Sequence, residues 1–251
     1  MAPRKKNPDA VTLNTPRGIL KYPKLTAVDH GTEKYPDKDG TYNTRIVFDA
    51  AGNPKVRAFM AKLDELMERS KELALEAFAQ LPVKARKELE KKNGDDGVRA
   101  DDPYSEVYDP DTEEPTGEIE MRFKKKAGGV RKADGKAWKA SRPDLFDSRK
   151  NPIKAGIDIW GGSTALVNAE FVPYFVAGTG AYGLQRQLNA VQIFELVSAG
   201  GQRNANSYGF EEDEDGFDST GYVAPDDDDD DDAGSSSGGS SDDDDDDGAN
   251  F

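Results

Sequence analysis

The 251-residue chain has no cysteine and a single histidine, His30. Without thiols there is no disulfide framework, no thiolate metal site and no cysteine nucleophile. One imidazole cannot build a two-histidine metal centre, and it leaves a Ser-His-Asp triad only one possible base. No apolar run approaches the ~18 residues that span a bilayer, and MAPRKKNPDAV lacks the apolar stretch of a signal peptide. The expectation is a soluble, cytoplasmic protein with no membrane partner. Neither G-x-x-x-x-G-K-[ST] nor G-x-S-x-G occurs. Hydrophobic residues are also scarce, at 35% against 33% charged, so part of the chain is expected to stay unfolded.

Charge is divided by position. Residues 211–251 hold 19 of the 49 acids and no Lys or Arg; the other 30 acids and all 34 bases lie in residues 1–210, which therefore carry +4. The chain reads as a mildly basic body with a −19 tail, and the net −15 describes neither part.

Within the body, residues 1–18 combine Arg4, Lys5, Lys6 and Arg17 with three prolines and read as a mobile basic arm. Strand-like patterning follows in KYPKLTAVD and in TYNTRIVFD, where Tyr42, Thr44, Ile46 and Phe48 alternate with polar neighbours; HGTEKYPDKDG between them reads as a long loop. Asn53 followed by Pro54 signals a helix start. Val56, Phe59, Met60, Leu63, Leu66, Met67, Leu73, Ala77 and Phe78 then form one apolar stripe. Pro82 breaks this helix, and PVKARKELEKKNG is a short second helix or a continuation. Residues 95–120 carry 11 acids and one base and read mostly as an exposed loop before the strand GEIEMRF. Gly128-Gly129 and Asp134-Gly135 punctuate a hairpin-like stretch, and STALVNAEFVPYFVA is the clearest strand. LQRQLNAVQIFELV fits either a helix or a bulged strand. Several strands interrupted by an amphipathic helix predict a mainly β fold, a five-stranded Greek-key barrel of the oligonucleotide-binding (OB) type with the helix after the second strand; a flat α+β sandwich is the competitor.

Two motifs imitate ligand loops. Gly178, Gly180 and Gly183 spell G-x-G-x-x-G after a strand, but no second strand ending in an acid follows about twenty residues on, so a glycine-rich hairpin turn is the better reading. EEDEDGFDSTGY places Tyr222 where a calcium loop needs its bidentate Glu. No metal or cofactor is expected. The paired acids lie in the loop and tail, where nothing desolvates them for catalysis.

Residues 122–154 instead hold 12 bases and 3 acids interleaved with Phe123, Trp138 and Phe146. Cations that follow phosphates and rings on which unpaired bases stack are the requirements of single-strand binding. The competing view makes these rings core residues and the lysines a solvated face.

IWGGSTALVNAEFVPYF, the glycine turn, LQRQLNAVQIFELV, and an acidic region containing GYVA and ending in Phe251 together resemble the single-stranded DNA-binding proteins of short-tailed bacteriophages. The resemblance implies an OB barrel over residues 19–210, with a helical and acidic insertion at about 53–117 and LQRQLNAVQIFELV as a strand. It implies sequence-independent binding of single-stranded DNA in phage replication, recombination and repair, in the host cytoplasm, with no enzymatic activity. Tyr174 of VPY matches a family position that stacks on DNA; Val176 stands where a second aromatic can occur, which leaves Phe175 or Trp160 to substitute. The expected stacking set is Tyr22, Trp138, Trp160, Tyr174 and Phe175, with Arg45, Lys124, Lys125, Lys126, Lys139 and Arg142 on phosphates.

The tail, residues 211–251, is expected to be disordered, with Asp226–Asp232 and Asp242–Asp247 flanking the flexible spacer AGSSSGGSS. The polyanion competes with DNA for the body. Family resemblance implies docking of DNA polymerase and helicase/primase through Asp242, Asp243, Asp244, Asp245, Asp246, Asp247 and Phe251, and a homodimer is compatible with it. Two other functional classes are a polyanionic chaperone or DNA mimic acting through the tail, and a metal-dependent nuclease using the acidic clusters.

Overall fold

The computed structural model describes residues 7–131, 134–154 and 156–198. The chain divides into Met1–Gln202 and Arg203–Phe251. The acidic tail, the calcium-like loop and the first six residues of the expected arm lie outside the described residues.

Five strands close a barrel: β2 (Gly18–Gly31), β3 (Pro36–Asp49), β6 (Pro115–Lys126), β10 (Thr164–Val176) and β11 (Ala181–Glu195). Their order is β2-β3-β6-β11-β10, and β10 returns to β2 through Thr164 opposite Ile19. Every neighbouring pair is antiparallel except β6–β11, which is parallel. This is the OB barrel. Period-2 alternation creates its core. Along β10 Ala165, Val167, Ala169 and Phe171 are fully buried, and along β6 Ile119, Met121 and Phe123 point the same way.

Helix α1 (Pro54–Ala79) begins where Asn53 and Pro54 predict; Asn53 Oδ1 accepts from Lys55 N at 3.0 Å. Its buried side is Val56, Phe59, Leu63, Ser70, Ala74 and Phe78, of which Val56, Phe59 and Leu63 join the barrel core. Phe59 sits between Phe48 and Phe171 at centroid distances of 6.3 and 6.1 Å, and Phe171 meets Phe123 edge-on at 6.2 Å. Ser70 Oγ donates to Gly183 O at 2.9 Å. The segment after Pro82 is a separate helix, α2 (Val83–Asn93). Ala74 and Phe78 join Leu89, Val98 and Tyr182 in a second cluster. Gly97 has φ +66°, and a Cβ there would stand 2.4 Å from the Phe78 ring.

Two expectations are corrected. The arm contains β1 (Val11–Asn14), which covers the edge of β10 with Val11 opposite Phe171; Asp9 pairs with Arg69 at 3.1 Å and Thr15 is buried. A four-residue edge strand draws its stability from its partner, so its own composition stays arm-like. The long loop HGTEKYPDKDG is mostly strand. β2 and β3 run on to a turn at residues 32–35, closed by Tyr35 N to Thr32 O at 3.0 Å. This extension is two-stranded and solvated, so its residues need not alternate. Residues 95–120 are mostly exposed loop before β6, as expected, with two short strands added, β4 (Arg99–Ala100) against β11 and β5 (Ser105–Tyr108) against β6. The hairpin expected near Gly128 is present as β7 (Gly128–Val130) with β8 (Ala137–Lys139), and β9 (Asp144–Phe146) runs parallel to β11. LQRQLNAVQIFELV lies in β11 up to Glu195. There the register steps from Ala169–Leu188 to Asn168–Ala190, so Asn189 is bulged and both Leu188 and Val191 remain inside.

Candidate nucleic-acid interface

Because Met121 and Phe123 face inward, Arg122 and Lys124 must face out. The register then builds rows across the barrel. Lys21 is opposite Arg45 and Arg45 opposite Arg122; Lys24 is opposite Asn43, Asn43 opposite Lys124, and Lys124 opposite Gln187. Adjacent strands lie ~4.8 Å apart, so cations far apart in sequence become neighbours. Like charges directly opposite are destabilising, and the acids nearby relieve only part of this. Glu120 Oε1 lies 2.6 Å from Arg45, with Oε2 3.9 Å from Lys21. Asp29 accepts from Asn43 Nδ2 at 2.8 Å, which holds its carboxyl below the usual range.

At the β11 end of these rows a groove of about 620 Å³ is lined by Arg122, Lys124, Tyr174, Leu184, Gln185 and Arg186. None of its three cations forms an ion pair among the described residues. Burial, reinforced by Arg122, lowers the Lys124 pKa, and burial lowers that of Arg186, whose guanidinium donates to Pro103 O. A positive charge partly stripped of water and lacking a carboxylate is suited to a bound anion.

Tyr174 supplies the aromatic wall. Its hydroxyl donates to Asp101 Oδ2 at 2.8 Å; burial first, then the Asp101 bond and charge, push its pKa up to about 12. Asp101 is placed by β4, its N–H donating to Tyr182 O at 2.7 Å. Gly183 lies opposite Tyr174 in the register, and a Cβ there would stand 3.0 Å from the Tyr174 hydroxyl and 2.8 Å from Asp101 O. The third glycine of the G-x-G-x-x-G string thus seats this ring, while Gly180, at φ +70°, completes the β10–β11 turn.

The other expected site residues are scattered. Arg45 and Lys124 belong to the rows, and Lys126 is exposed on the same face of β6. Lys125 points the other way, its Nζ donating to Arg142 O at 3.3 Å, and Arg142 donates to Ile153 O at 3.3 Å. Phe175 packs against the second apolar cluster rather than joining Tyr174. Tyr22 is 74% exposed at φ +50°, where the β2 register slips between Lys21 and Lys24; Trp160 is 50% exposed. A Cβ at Gly161 would lie 3.8 Å from Tyr22 N, so the backbone next to Trp160 runs beside Tyr22, close to Lys21. Trp138 and the exposed Lys139 sit on the β7–β8 hairpin, and Gly128 of that hairpin approaches Asp39 at the far end of the β2–β3 pair. Sequence reasoning missed Lys21, Lys24, Arg122 and Arg186. Alternation in GEIEMRFKKK marks Arg122 as outward, whereas only the tertiary structure desolvates Arg186.

Among the described residues no group of three or more His, Asp or Glu side chains could hold a metal ion, and no helix is long and apolar enough to cross a membrane. No family model and no curated protein matches the sequence. Among solved structures, a single-stranded DNA-binding protein of bacteriophage Enc34 in complex with ssDNA is 14% identical, over 79% of this chain and 97% of that one, with a TM-score of 0.46. The single-stranded DNA-binding protein gp2.5 of bacteriophage T7 is 19% identical, over 86% of this chain and 99% of that one, with a TM-score of 0.55; the chain shares its fold.

Proposed function

We propose that the chain binds single-stranded DNA with little sequence preference and performs no chemistry on it. The observation that carries this reading is the groove that Arg122, Lys124 and Arg186, without carboxylate partners among the described residues, share with the Tyr174 ring on the OB barrel. Cations follow the phosphates, and the ring offers a stacking surface that every base can use. The fold shared with gp2.5 supports the same reading. In this proposal the exposed rings Tyr22 and Trp160 extend the path at the Lys21 end, while Lys125, Arg142 and Phe175 are structural. Titration with oligonucleotides checks it: affinity should fall with salt at a log–log slope of about −0.7 per phosphate neutralised. Tighter binding to duplex than to single strand overturns it.

The protein acts in phage DNA replication, recombination and repair, in the cytoplasm of the host. Its 19 tail carboxylates compete with DNA for the cations of the body and, with Phe251, recruit polymerase and helicase/primase. Removing residues 211–251 should tighten DNA binding most at low salt, where screening is weakest. Replacing Phe251 by Ala leaves the side-chain charge unchanged and separates docking from charge competition. A chaperone or DNA mimic acting through the tail predicts instead that residues 1–210 alone bind no DNA.

A further inference from the structure

A second groove, of about 350 Å³, lies on the outer surface where β1, β10, β11 and β9 meet. The register makes Phe146, Gln192 and Leu166 one cross-strand row, and Ala190, Asn168 and Asn14 the next. Leu166 and Ala190 give an apolar floor, the half-buried Phe146 ring forms one wall, and Lys150 stands at the side. Lys150 has φ +68°, a conformation that disfavours residues other than glycine. Its loop is tied down by Asp147, whose Oδ1 accepts from Arg149 N at 2.9 Å and from Asn151 N at 2.8 Å. Neither Arg149 nor Lys150 forms an ion pair among the described residues.

A line of carboxamides joins this groove to the basic one. Gln185 lines the basic groove, and Gln187 Nε2 donates to Gln185 Oε1 at 3.1 Å. Asn189 stays outward through the bulge and donates to Asn168 Oδ1 at 3.1 Å; Asn168 in turn donates to Asn14 Oδ1 at 2.7 Å. Gln192 ends the line, donating to Asp147 O at 3.2 Å. Carboxamides both donate and accept, as base edges do, and carry no charge to favour or repel phosphate. From Gln185 to Gln192 the strand extends about 23 Å.

We infer that this groove is a second nucleotide subsite, in which DNA leaving the Tyr174 groove follows the β11 carboxamides and places one base against Phe146 with a phosphate beside Lys150. The inference rests on the single-strand binding proposed above and adds an exit path and a longer footprint.

Full-length protein should be titrated with oligothymidylates of about 5 and about 16 nucleotides, near the two ends of the range of OB-fold site sizes. Lys150→Gly removes the charge and suits the backbone, so it should fold at least as well as the parent. For the long oligonucleotide it should weaken binding and lower the magnitude of the salt slope by about 0.7. Phe146→Leu should weaken long-oligonucleotide binding about fivefold, the lower end of a stacking contribution. Neither variant should change binding of the short oligonucleotide, whereas Tyr174→Ala should weaken both lengths. Equal losses at both lengths, or no loss at the long one, overturn the subsite and leave single-strand binding standing. Failure of the parent protein to bind either length overturns single-strand binding, and the subsite with it.

Discussion

On β6, Ile119, Met121 and Phe123 face the core while Glu120, Arg122 and Lys124 face out, and the two sets answer to different physics. The inner set is held by α1 and the Phe48, Phe59, Phe171 and Phe123 rings, where close packing leaves no room for charge or water. The outer set concentrates like charge across neighbouring strands, an arrangement that costs stability in the free protein. One strand thus supports the fold with one face and, in the proposed function, offers the other to a ligand. Substitutions at successive positions should separate stability from binding.

The largest effect is expected inside. Phe59→Ala removes the ring that links the helix to the barrel through Phe48 and Phe171, and should cost about 3–5 kcal/mol of stability, read from denaturant or thermal unfolding. The fraction that remains folded should bind oligonucleotides normally. A specific loss of affinity in folded Phe59→Ala protein would break the division between the two faces.

Tyr174→Ala tests the outer face at its ring and should weaken single-strand binding by ~1–3 kcal/mol, measured by titration. Tyr174→Phe keeps the ring and should keep most of the affinity. It also isolates the hydroxyl. The folded-state pKa of about 12 exceeds the ordinary value of 10.0 because burial, then Asp101, disfavours the phenolate. The unfolded chain therefore loses this proton first as pH rises. Stability contributed by the neutral phenol is full below about pH 10 and is lost between about pH 10 and about pH 12. Urea midpoints across that window should fall more steeply for the parent than for Tyr174→Phe; parallel curves would show that the hydroxyl is not held as described.

Gly183→Ala probes the seat of that ring. A Cβ within 3.0 Å of the Tyr174 hydroxyl and 2.8 Å of a backbone oxygen forces a shift, so stability should fall by about 1–3 kcal/mol and affinity should fall with it. An affinity change without a stability change would place the glycine's role in DNA contact instead.

These sites differ in how far the sequence discloses them. Asn53 and Pro54 announce α1, and the Leu188-to-Val191 spacing contains the bulge that keeps β11 in the barrel, because both are local signals. Phe175 is legible from strand geometry alone: neighbours on a strand face opposite ways, so Tyr174 turns to the groove and Phe175 to the second apolar cluster. The cation rows were out of reach, since Lys21, Arg45 and Arg122 meet only through the register of three strands. Strand β1 escaped for a similar reason, as Val11–Asn14 pairs with β10, far away in the chain.

The smallest effect sharpens the comparison most. Glu120, two residues before Arg122 on the same face of β6, reaches into the Lys21–Arg45–Arg122 row, 2.6 Å from Arg45 and 3.9 Å from Lys21. Both cations are substantially exposed, so the pair contributes only about 0.2–1 kcal/mol to stability. Glu120→Gln should therefore leave the unfolding midpoint nearly unchanged. It also frees Arg45 and Lys21 to meet phosphates and removes a repulsive charge from the binding face. Affinity for single-stranded DNA should rise modestly, and the salt slope should steepen by up to about 0.7 for each cation newly engaged. Weaker binding by Glu120→Gln would mean that the carboxylate holds Arg45 in its working position, making the acid part of the interface rather than a brake upon it.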